Sequence, residues 1–195
     1  FRIVYTGYTP AVVEAVPVGL DALVAFVAVS VVVGSVLAVA QENVKRMLAY
    51  SSVSQYGLVV VGLAIGTRAA VFGAVVHLVG HAIMKGGLFL AVGLVNDVTG
   101  ARTVDEYAGL AKRSPVGAAA FSVLAVAMVG VPPAVGFVGK WYIALGAVEA
   151  GAWPLVVVIF ASTLLTLAYF ARVVERIYFR DSTETSGYVA TVNSS

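Results

Sequence analysis

Long apolar runs, separated by short polar stretches, predict five membrane-spanning helices. Four of the runs cover about residues 19–40, 47–65, 70–95 and 153–172, and the last helix could extend to Tyr178. Each is close to the roughly 20 residues that a helix needs to cross the hydrocarbon core. The fourth run begins near Val116, is interrupted at Val131-Pro132-Pro133 and is expected to resume near Gly139. The pattern therefore predicts an all-α polytopic membrane protein in which one of about five transmembrane helices is discontinuous.

Two flanking segments differ from this apolar unit, which we place at residues 19–180. Residues 1–18 contain two prolines and are expected to form an outer-side loop or the end of a preceding helix. Residues 181–195 are polar and rich in Ser and Thr, as in a flexible tail or linker. The chain begins with Phe1 and shows no signal-peptide order, so its first residues resemble a cut through a longer polypeptide.

Composition narrows the function classes. The chain is 61% hydrophobic and 11% charged, with a mean hydropathy of +0.99, whereas soluble domains carry about 25% charged residues. A net charge of +2, with basic residues interleaved among apolar spans, argues against nucleic acid as a partner. Cysteine is absent, which excludes thiolate iron–sulfur clusters and Cys-ligated zinc. No cofactor is predicted here, and any electron transfer would belong to another subunit.

The basic residues indicate an orientation in the membrane. Eight of the ten Lys and Arg residues outside the spans fall on one side if five crossings alternate; they are Lys45, Arg46, Arg102, Lys112, Arg113, Arg172, Arg176 and Arg180. Only Arg2 and Arg68 fall on the other side. The positive-inside rule then predicts a multi-pass protein of the cell membrane whose segments after spans one, three and five are cytoplasmic.

The third span carries ionisable side chains at helical spacing. His77, His81 and Lys85 are four residues apart and would lie on one helix face over about 12 Å. A lysine in mid-span costs roughly 2.5–3.5 kcal/mol on insertion scales, and such residues mark ion and proton pathways. Imidazole can both donate and accept a proton near neutral pH. We therefore predict a proton relay along this face, with no catalytic residue.

Two other roles for these side chains remain open. The histidines could simply form hydrogen bonds to neighbouring helices. A His pair four residues apart can also bind zinc, but the sequence HLVGH has no adjacent Glu and its span has no carboxylate. We predict no metal site.

A second intramembrane lysine, Lys140, follows the interruption of the fourth span. Pro132 and Pro133 each lack a backbone donor, and Gly136 and Gly139 add flexibility and space. Broken helices at membrane depth occur only where they are buried in protein or line a wet cavity. We therefore predict that Lys140 belongs to an ion site, with the positive end of the resumed half-helix directed at it. The alternative is a lysine that anchors to lipid headgroups, beside belt residues such as Trp141.

Three segments together resemble one family of proton-conducting membrane transporters. These segments are VKRMLAYSSVSQ at 44–55, the helix with His77, His81 and Lys85, and GVPPAVGF at 130–137 followed by Lys140. The family comprises antiporter-like subunits of respiratory complex I, large subunits of Mrp-type antiporters and membrane subunits of energy-converting hydrogenases. The resemblance covers about residues 18–179 and implies the second of two inverted five-helix repeats. It also implies a central relay role for Lys85 and a terminal, outer-side role for Lys140.

Within that family the sequence favours a D-type large subunit of a multisubunit Na⁺/H⁺ antiporter of the Mrp kind. The stretch GAWPLVVVIFASTLLTLAYFARVVERIYF at 151–179 resembles the D-type subunits, whereas GKWYIALGAVEAG resembles the complex I subunit related to N. The alternatives are an N-like subunit of a proton-pumping NADH:quinone oxidoreductase, the corresponding subunit of a membrane-bound hydrogenase, and a structural helix-packing subunit. The chain would not be an enzyme by itself. Its expected partners are other membrane subunits, the lipid bilayer and protons, with Na⁺ as a candidate second ion.

Overall fold

The computed structural model describes residues 17–180, with side chains from residue 22 onward, and the secondary structure of this part is helical. Its helices are α1 (Pro17–Ala40), α2 (Val44–Ile65), α3 (Arg68–Thr99), α4 (Leu110–Arg113), α5 (Pro115–Val129), α6 (Val135–Glu149) and α7 (Trp153–Phe179). A short 3₁₀ turn covers Asp105–Tyr107. An isolated bridge between Asn43 and Thr103 is the one strand-like pairing within 17–180.

The predicted spans are confirmed within a few residues. Four described helices are long and apolar enough to cross a membrane: α1 from Ala22, α2, α3 and α7. Two 15-residue helices, α5 and α6, together form the discontinuous fourth span. The chain is thus an all-α, multi-pass membrane protein. The predicted segments 1–18 and 181–195 lie outside the described residues, except for Pro17 and Val18, which already belong to α1.

The helix break is shorter than the sequence predicts. Helix α5 ends at Val129 and is capped by Gly130, whose φ of +96° is accessible to glycine without steric cost. The two prolines follow, and α6 begins at Val135 rather than near Gly139. The expectation was wrong because prolines remove backbone donors only at their own positions, so hydrogen bonding resumes directly with Ala134. The glycines lie inside α6, where their weak helix propensity is outweighed by packing.

One end of the helix bundle is tied together by its connecting loops. The backbone of Val44 donates to Arg102 (3.0 Å), and that of Val104 donates to Glu42 (2.8 Å). Glu106 accepts from the backbone N–H groups of Arg102 and Thr103, and these bonds lower its pKa. The connection α1–α2 and the connection α3–α5 therefore lie at the same end of the molecule.

The end of α7 joins the same group, which we call the loop clamp (residues 39–44, 100–109 and 172–176). The Arg172 guanidinium donates to the carbonyls of Val39 (3.0 Å) and Gln41 (2.7 Å). Arg176 pairs with Asp105 at 3.1 Å, and its carbonyl accepts from the Gly109 backbone. The basic residues that the sequence places on one side thus do lie at one end.

Polar side chains form a layer between two apolar clusters. The cluster nearer the loop clamp includes Ala38, Leu48 and Phe170, and the other includes Val31, Leu58 and Ile159. Between these positions α1 contributes Ser35, α2 contributes Ser51, Ser54 and Gln55, and α7 contributes Ser162 and Thr166, all of them buried. This polar layer faces α3 at mid-helix and contains the candidate site.

Candidate functional site

The ionisable side chains of α3 lie inside the bundle. His77 and His81 are fully buried, and Lys85 is 6% exposed. Helix α3 is continuous over Arg68–Thr99, so the three side chains share one face over about 12 Å, as the spacing predicts. Their burial agrees with the rule that charged groups at membrane depth point into the bundle rather than into lipid.

Both ends of this row are hydrogen-bonded to α2. The Lys85 ammonium donates to the Ser51 hydroxyl, which in turn donates to the Leu48 carbonyl. His77 Nε2 donates to Gln55 Oε1 at 3.0 Å. Ser51 and Gln55 are one helical turn apart on α2, whereas Lys85 and His77 are two turns apart on α3. The long side chains of Lys85 and Gln55 bridge this difference in spacing. The histidine row is therefore attached to α2 at two neighbouring points.

His81 lies between these anchored ends without a comparable attachment. Neither ring nitrogen has a hydrogen-bond partner among the described residues, and the same holds for His77 Nδ1. The His81 ring is 5.0 Å from that of Tyr56 in an edge-on arrangement and 6.1 Å from that of His77. Buried polar atoms are nearly always bonded. These nitrogens are therefore the buried polar atoms of the row that have room for a further hydrogen-bond partner.

Lys140 is buried on α6, with 6% of its surface exposed. Its ammonium donates to the carbonyls of Met128 and Val129, both at 3.0 Å. These are the last carbonyls of α5, so Lys140 lies at the negative end of that half-helix. The expectation that a positive helix end is directed at Lys140 was wrong, since the positive end of α6 lies more than one turn away at Val135. An exposed headgroup anchor does not fit this burial.

Gly139 brings Lys140 close to the histidines. A Cβ atom at this position would lie 2.6 Å from His77 Cβ and 2.8 Å from its Cα. Gly73 has the same role on α3, since a Cβ there would be 2.6 Å from the Ile143 nitrogen. The two helices can therefore touch backbone to backbone. Lys140 then lies within electrostatic range of both His77 and His81, and Lys85 within range of His81.

The four predicted basic residues thus lie near one another on α3 and α6, although no hydrogen bond joins any two of them. The residues of the helix break occupy two different positions. Pro132 and Pro133 lie in the break itself, whereas Gly136 and Gly139 lie in the first turns of α6. A Cβ at Gly136 would come within 2.2 Å of the Ala127 carbonyl, so this glycine packs α6 against α5. The glycines serve close packing rather than flexibility.

Several polar residues of the site carried no functional prediction. Gln55 donates to Thr166 on α7 at 3.2 Å, and the buried hydroxyl of Tyr169, three residues further along α7, has no hydrogen-bond partner among the described residues. Ser54 bridges Ser35 (2.7 Å) and Ser162 (3.0 Å). Small polar residues such as those of α2 favour interhelical hydrogen bonds in general, but their presence gives no reason to single out α7 as the partner. A hydroxyl in each successive turn of an apolar helix is the available signal.

Negative charge does not balance the buried lysines within this part of the chain. Among residues 22–180 no Asp or Glu side chain is buried. The described residues also contain no group of three or more His, Asp and Glu side chains that could hold a metal ion. The arrangement can hold protons on imidazole and amine groups, and it offers hydroxyl and carbonyl oxygens as acceptors.

The amino-acid sequence matches known membrane proteins over most of its length. Residues 11–166 match the family described as NADH:quinone oxidoreductase/Mrp antiporter, TM. NADH-quinone oxidoreductase subunit N of Desulforudis audaxviator is 48% identical over 153 residues, which cover 78% of this chain and 30% of that protein. The subunit N of Parvibaculum lavamentivorans is 36% identical over 164 residues, covering 83% and 34%. The chain spans about a third of the length of these relatives.

Solved structures of membrane complexes match this chain as well. A chain of an archaeal membrane-bound sulfane sulfur reductase matches with a TM-score of 0.78 at 34% identity, covering 84% of this chain and 34% of that chain. A chain of the Mrp complex from Dietzia sp. matches with a TM-score of 0.77 at 30% identity, covering 82% and 30%. A chain of respiratory complex I from Thermus thermophilus also scores 0.77 at 29% identity, covering 90% and 39%. The chain therefore belongs to the antiporter-like membrane subunits shared by NADH:quinone oxidoreductases and Mrp antiporters.

Proposed function

We propose that this chain is part of a proton-translocating, N-like subunit of an NADH-quinone oxidoreductase or a related redox-driven membrane complex. Protons move along Lys85, His81, His77 and Lys140. The family match supports the general class, and the relatives named above include subunits N at 48% and 36% identity. These relatives favour the N-like alternative over the D-type large subunit of an Mrp antiporter that the sequence alone favours.

One observation carries the proposal. Four ionisable side chains from two helices are buried together in the middle of an apolar bundle, with no buried acid among residues 22–180. Each buried lysine costs free energy in a membrane, and a purely structural subunit would gain more from apolar packing. A role in proton exchange would explain why these buried groups are present despite their free-energy cost. A helix-packing subunit without transport is the opposite hypothesis, and the similarity to the Mrp complex keeps an antiporter with Na⁺ as a second candidate.

The same relatives support a proposal about partners. The matching chains belong to a respiratory complex I, an Mrp complex and an archaeal respiratory membrane complex. We propose that this chain likewise assembles with other membrane subunits in a cell membrane, and that any redox cofactor is bound by those subunits. Two buried lysines without an acidic partner in the described part of the chain are expected to be balanced from outside it.

Lys85→Ala in the assembled complex tests the proposed function. We expect proton transport to be lost, because the variant removes the group that links Ser51 to the histidines, while assembly and subunit content are retained. Lys45→Ala is the matched control, since Lys45 is exposed at the start of α2 and should leave transport unchanged. Proton uptake by reconstituted vesicles under substrate turnover is the measurement. Unaltered transport in Lys85→Ala would falsify the relay.

Orientation is a separate proposal. The loop clamp gathers Arg102, Arg172 and Arg176 at one end, and the positive-inside rule assigns that end to the cytoplasm. Because the chain has no native cysteine, single cysteines at positions 45 and 112 can be labelled cleanly with an impermeant reagent. We expect both to react only from the cytoplasmic side. Labelling from opposite sides would refute the five-span topology.

A further inference from the structure

A continuous chain of buried hydrogen bonds joins α7 to the histidine row. Thr166 on α7 donates its hydroxyl hydrogen to the Ser162 carbonyl, one turn earlier, at 2.7 Å. The Gln55 side chain donates from Nε2 to Thr166 Oγ1 at 3.2 Å, and Gln55 Oε1 lies 3.0 Å from His77 Nε2. All four residues are fully buried, so bulk water does not compete for these bonds.

The hydroxyl of Thr166 fixes the direction of the Gln55 amide. A threonine hydroxyl has one hydrogen and two lone pairs. The hydrogen of Thr166 is used in the short bond to the Ser162 carbonyl, so only lone pairs remain to face Gln55. The amide therefore presents its NH₂ group to Thr166, because its carbonyl oxygen would meet lone pairs there with no hydrogen between them. Gln55 Oε1 is then left to face His77.

The Gln55 oxygen in turn fixes the tautomer of His77. An amide oxygen only accepts hydrogen bonds, so the bond across 3.0 Å requires a hydrogen on His77 Nε2. A neutral imidazole carries one N–H, which leaves Nδ1 as the nitrogen with a free lone pair. This Nδ1 is buried and has no hydrogen-bond partner among the described residues. An incoming proton can therefore bind His77 at Nδ1 but not at Nε2.

We propose that Thr166 is a positioning residue of the relay. Through Gln55 it holds His77 in the Nε2–H tautomer, so that a proton enters and leaves this ring at Nδ1. The inference rests on the proposed proton relay and deepens it by assigning the nitrogen that takes part. His77 then does not pass a proton from one ring nitrogen to the other, since Nε2 stays bonded to an amide oxygen that does not take up protons.

Thr166→Val in the assembled complex is the primary test, because it keeps the shape of the side chain and removes the hydroxyl. Gln55 then loses its acceptor on α7, and its amide makes one hydrogen bond to His77 in either orientation, so both tautomers become populated. We expect proton transport to slow by about three- to tenfold, the effect of one neutral hydrogen bond. Thr166→Ser keeps a hydroxyl and should leave the rate within about twofold of the unmodified complex.

Thr163→Val is the matched control. Thr163 lies on the same helix and makes the same kind of bond, to the Ile159 carbonyl at 2.9 Å, but its hydroxyl does not bond Gln55. This variant should also keep the transport rate within about twofold of the unmodified complex. Equal slowing by the two valine variants, or a Thr166→Ser variant as slow as Thr166→Val, would overturn the positioning role.

A double variant separates positioning from general packing. Gln55→Met removes the link between Thr166 and His77 but keeps an unbranched side chain of similar length. In this background Thr166→Val should cause no further slowing, because Thr166 no longer has a route to His77. If Thr166→Val causes the same additional loss with and without Gln55, Thr166 acts through packing and the inference is wrong.

¹⁵N NMR of the complex with labelled histidine reads the tautomer directly, at a pH at which imidazoles are neutral. The His77 signals are identified by their loss in His77→Asn. We expect the hydrogen on Nε2 in the unmodified complex and in Thr166→Ser, and a mixture of tautomers in Thr166→Val. A tautomer that is the same in all three would refute the positioning role, even if transport slows.

Lys85→Ala in the same assay distinguishes the failure of this inference from the failure of the relay. If Lys85→Ala abolishes transport while the His77 tautomer does not respond to Thr166→Val, the positioning role is wrong and the relay stands. If Lys85→Ala leaves transport intact, the relay fails and the role of Thr166 in it fails as well.

Discussion

Lys85 and Lys140 are buried to the same extent but are held in different ways. Each is 6% exposed. Lys85 donates to the Ser51 hydroxyl, which is a side-chain group that can rotate and can donate as well as accept. Lys140 donates to two backbone carbonyls, which are fixed by the end of α5 and can only accept. The comparison indicates that the partner of Lys85 can respond to a change of proton state, while the partners of Lys140 are fixed backbone groups.

The variant Lys140→Arg tests most directly whether Lys140 releases a proton or only binds the two carbonyls. Arginine keeps donors for the carbonyls of Met128 and Val129 but does not release its proton in the physiological range. We expect near-complete loss of proton transport in a complex that still assembles. If Lys140 only caps the half-helix, transport in this variant would be close to normal, and the proton role would have to be abandoned. Proton uptake by vesicles measures transport, and blue-native gel analysis measures assembly of the complex.

The free energy of unfolding of two further variants tests the same difference between Lys85 and Lys140. Lys140→Met and Lys85→Met remove the same buried ammonium, so the desolvation terms largely cancel between them. Lys140→Met leaves two buried carbonyls without this donor, whereas Lys85→Met leaves one hydroxyl that still donates to Leu48. Lys140→Met should therefore lower the free energy of unfolding by about 2–6 kcal/mol more, at about 1–3 kcal/mol per orphaned carbonyl.

Thermal denaturation of the purified complex in detergent, followed through a reporter on this subunit, measures that difference. The unmodified complex and Lys45→Met, an exposed site on α2, are the references. Equal destabilisation by the two buried variants would mean that backbone and hydroxyl partners hold a lysine equally well.

Gly139→Ala tests the link between the two lysine regions. The added Cβ would lie 2.6 Å from His77 Cβ, so α6 must move away from α3. We expect a loss of roughly 1–3 kcal/mol in stability, typical of overpacking, and a slower transport rate. Gly86→Ala is the control, because a Cβ at that position of α3 meets nothing within 4 Å. Similar effects of the two substitutions would show that helix propensity, and not the contact with His77, decides the outcome.

Much of the fold could be predicted from the sequence, because a segment that crosses a membrane has to be a long apolar helix. Apolar runs of span length and the Pro132-Pro133 pair predict the helices and their one interruption, and four-residue spacing predicts the face shared by His77, His81 and Lys85. The start of α6 was misplaced because glycine propensity alone suggests a longer break, whereas tertiary contacts at Gly136 and Gly139 stabilise the helix there.

The partners of the site residues were less accessible. Lys140 binds carbonyls 11 and 12 residues earlier in the chain, and every residue has a carbonyl, so no side chain signals this contact. Thr166 and Tyr169 were missed because hydroxyls in an apolar run are compatible with any neighbour. Their meaning depends on α7 lying against α2, which only the packing of the whole bundle decides.

The loop clamp has a mechanical consequence for the membrane complex. Arg172 and Arg176 attach the last turns of α7 to both the α1–α2 and the α3–α5 connections, whereas the break between α5 and α6 lies near the middle of the bundle, where Val135 packs against Gly80 of α3. A tilt of α7 is therefore expected to move the attached ends of α1, α2, α3 and α5 together. The bundle thus has one end that is cross-linked by hydrogen bonds and one span that is interrupted at its centre, and Lys140 lies beside that interruption.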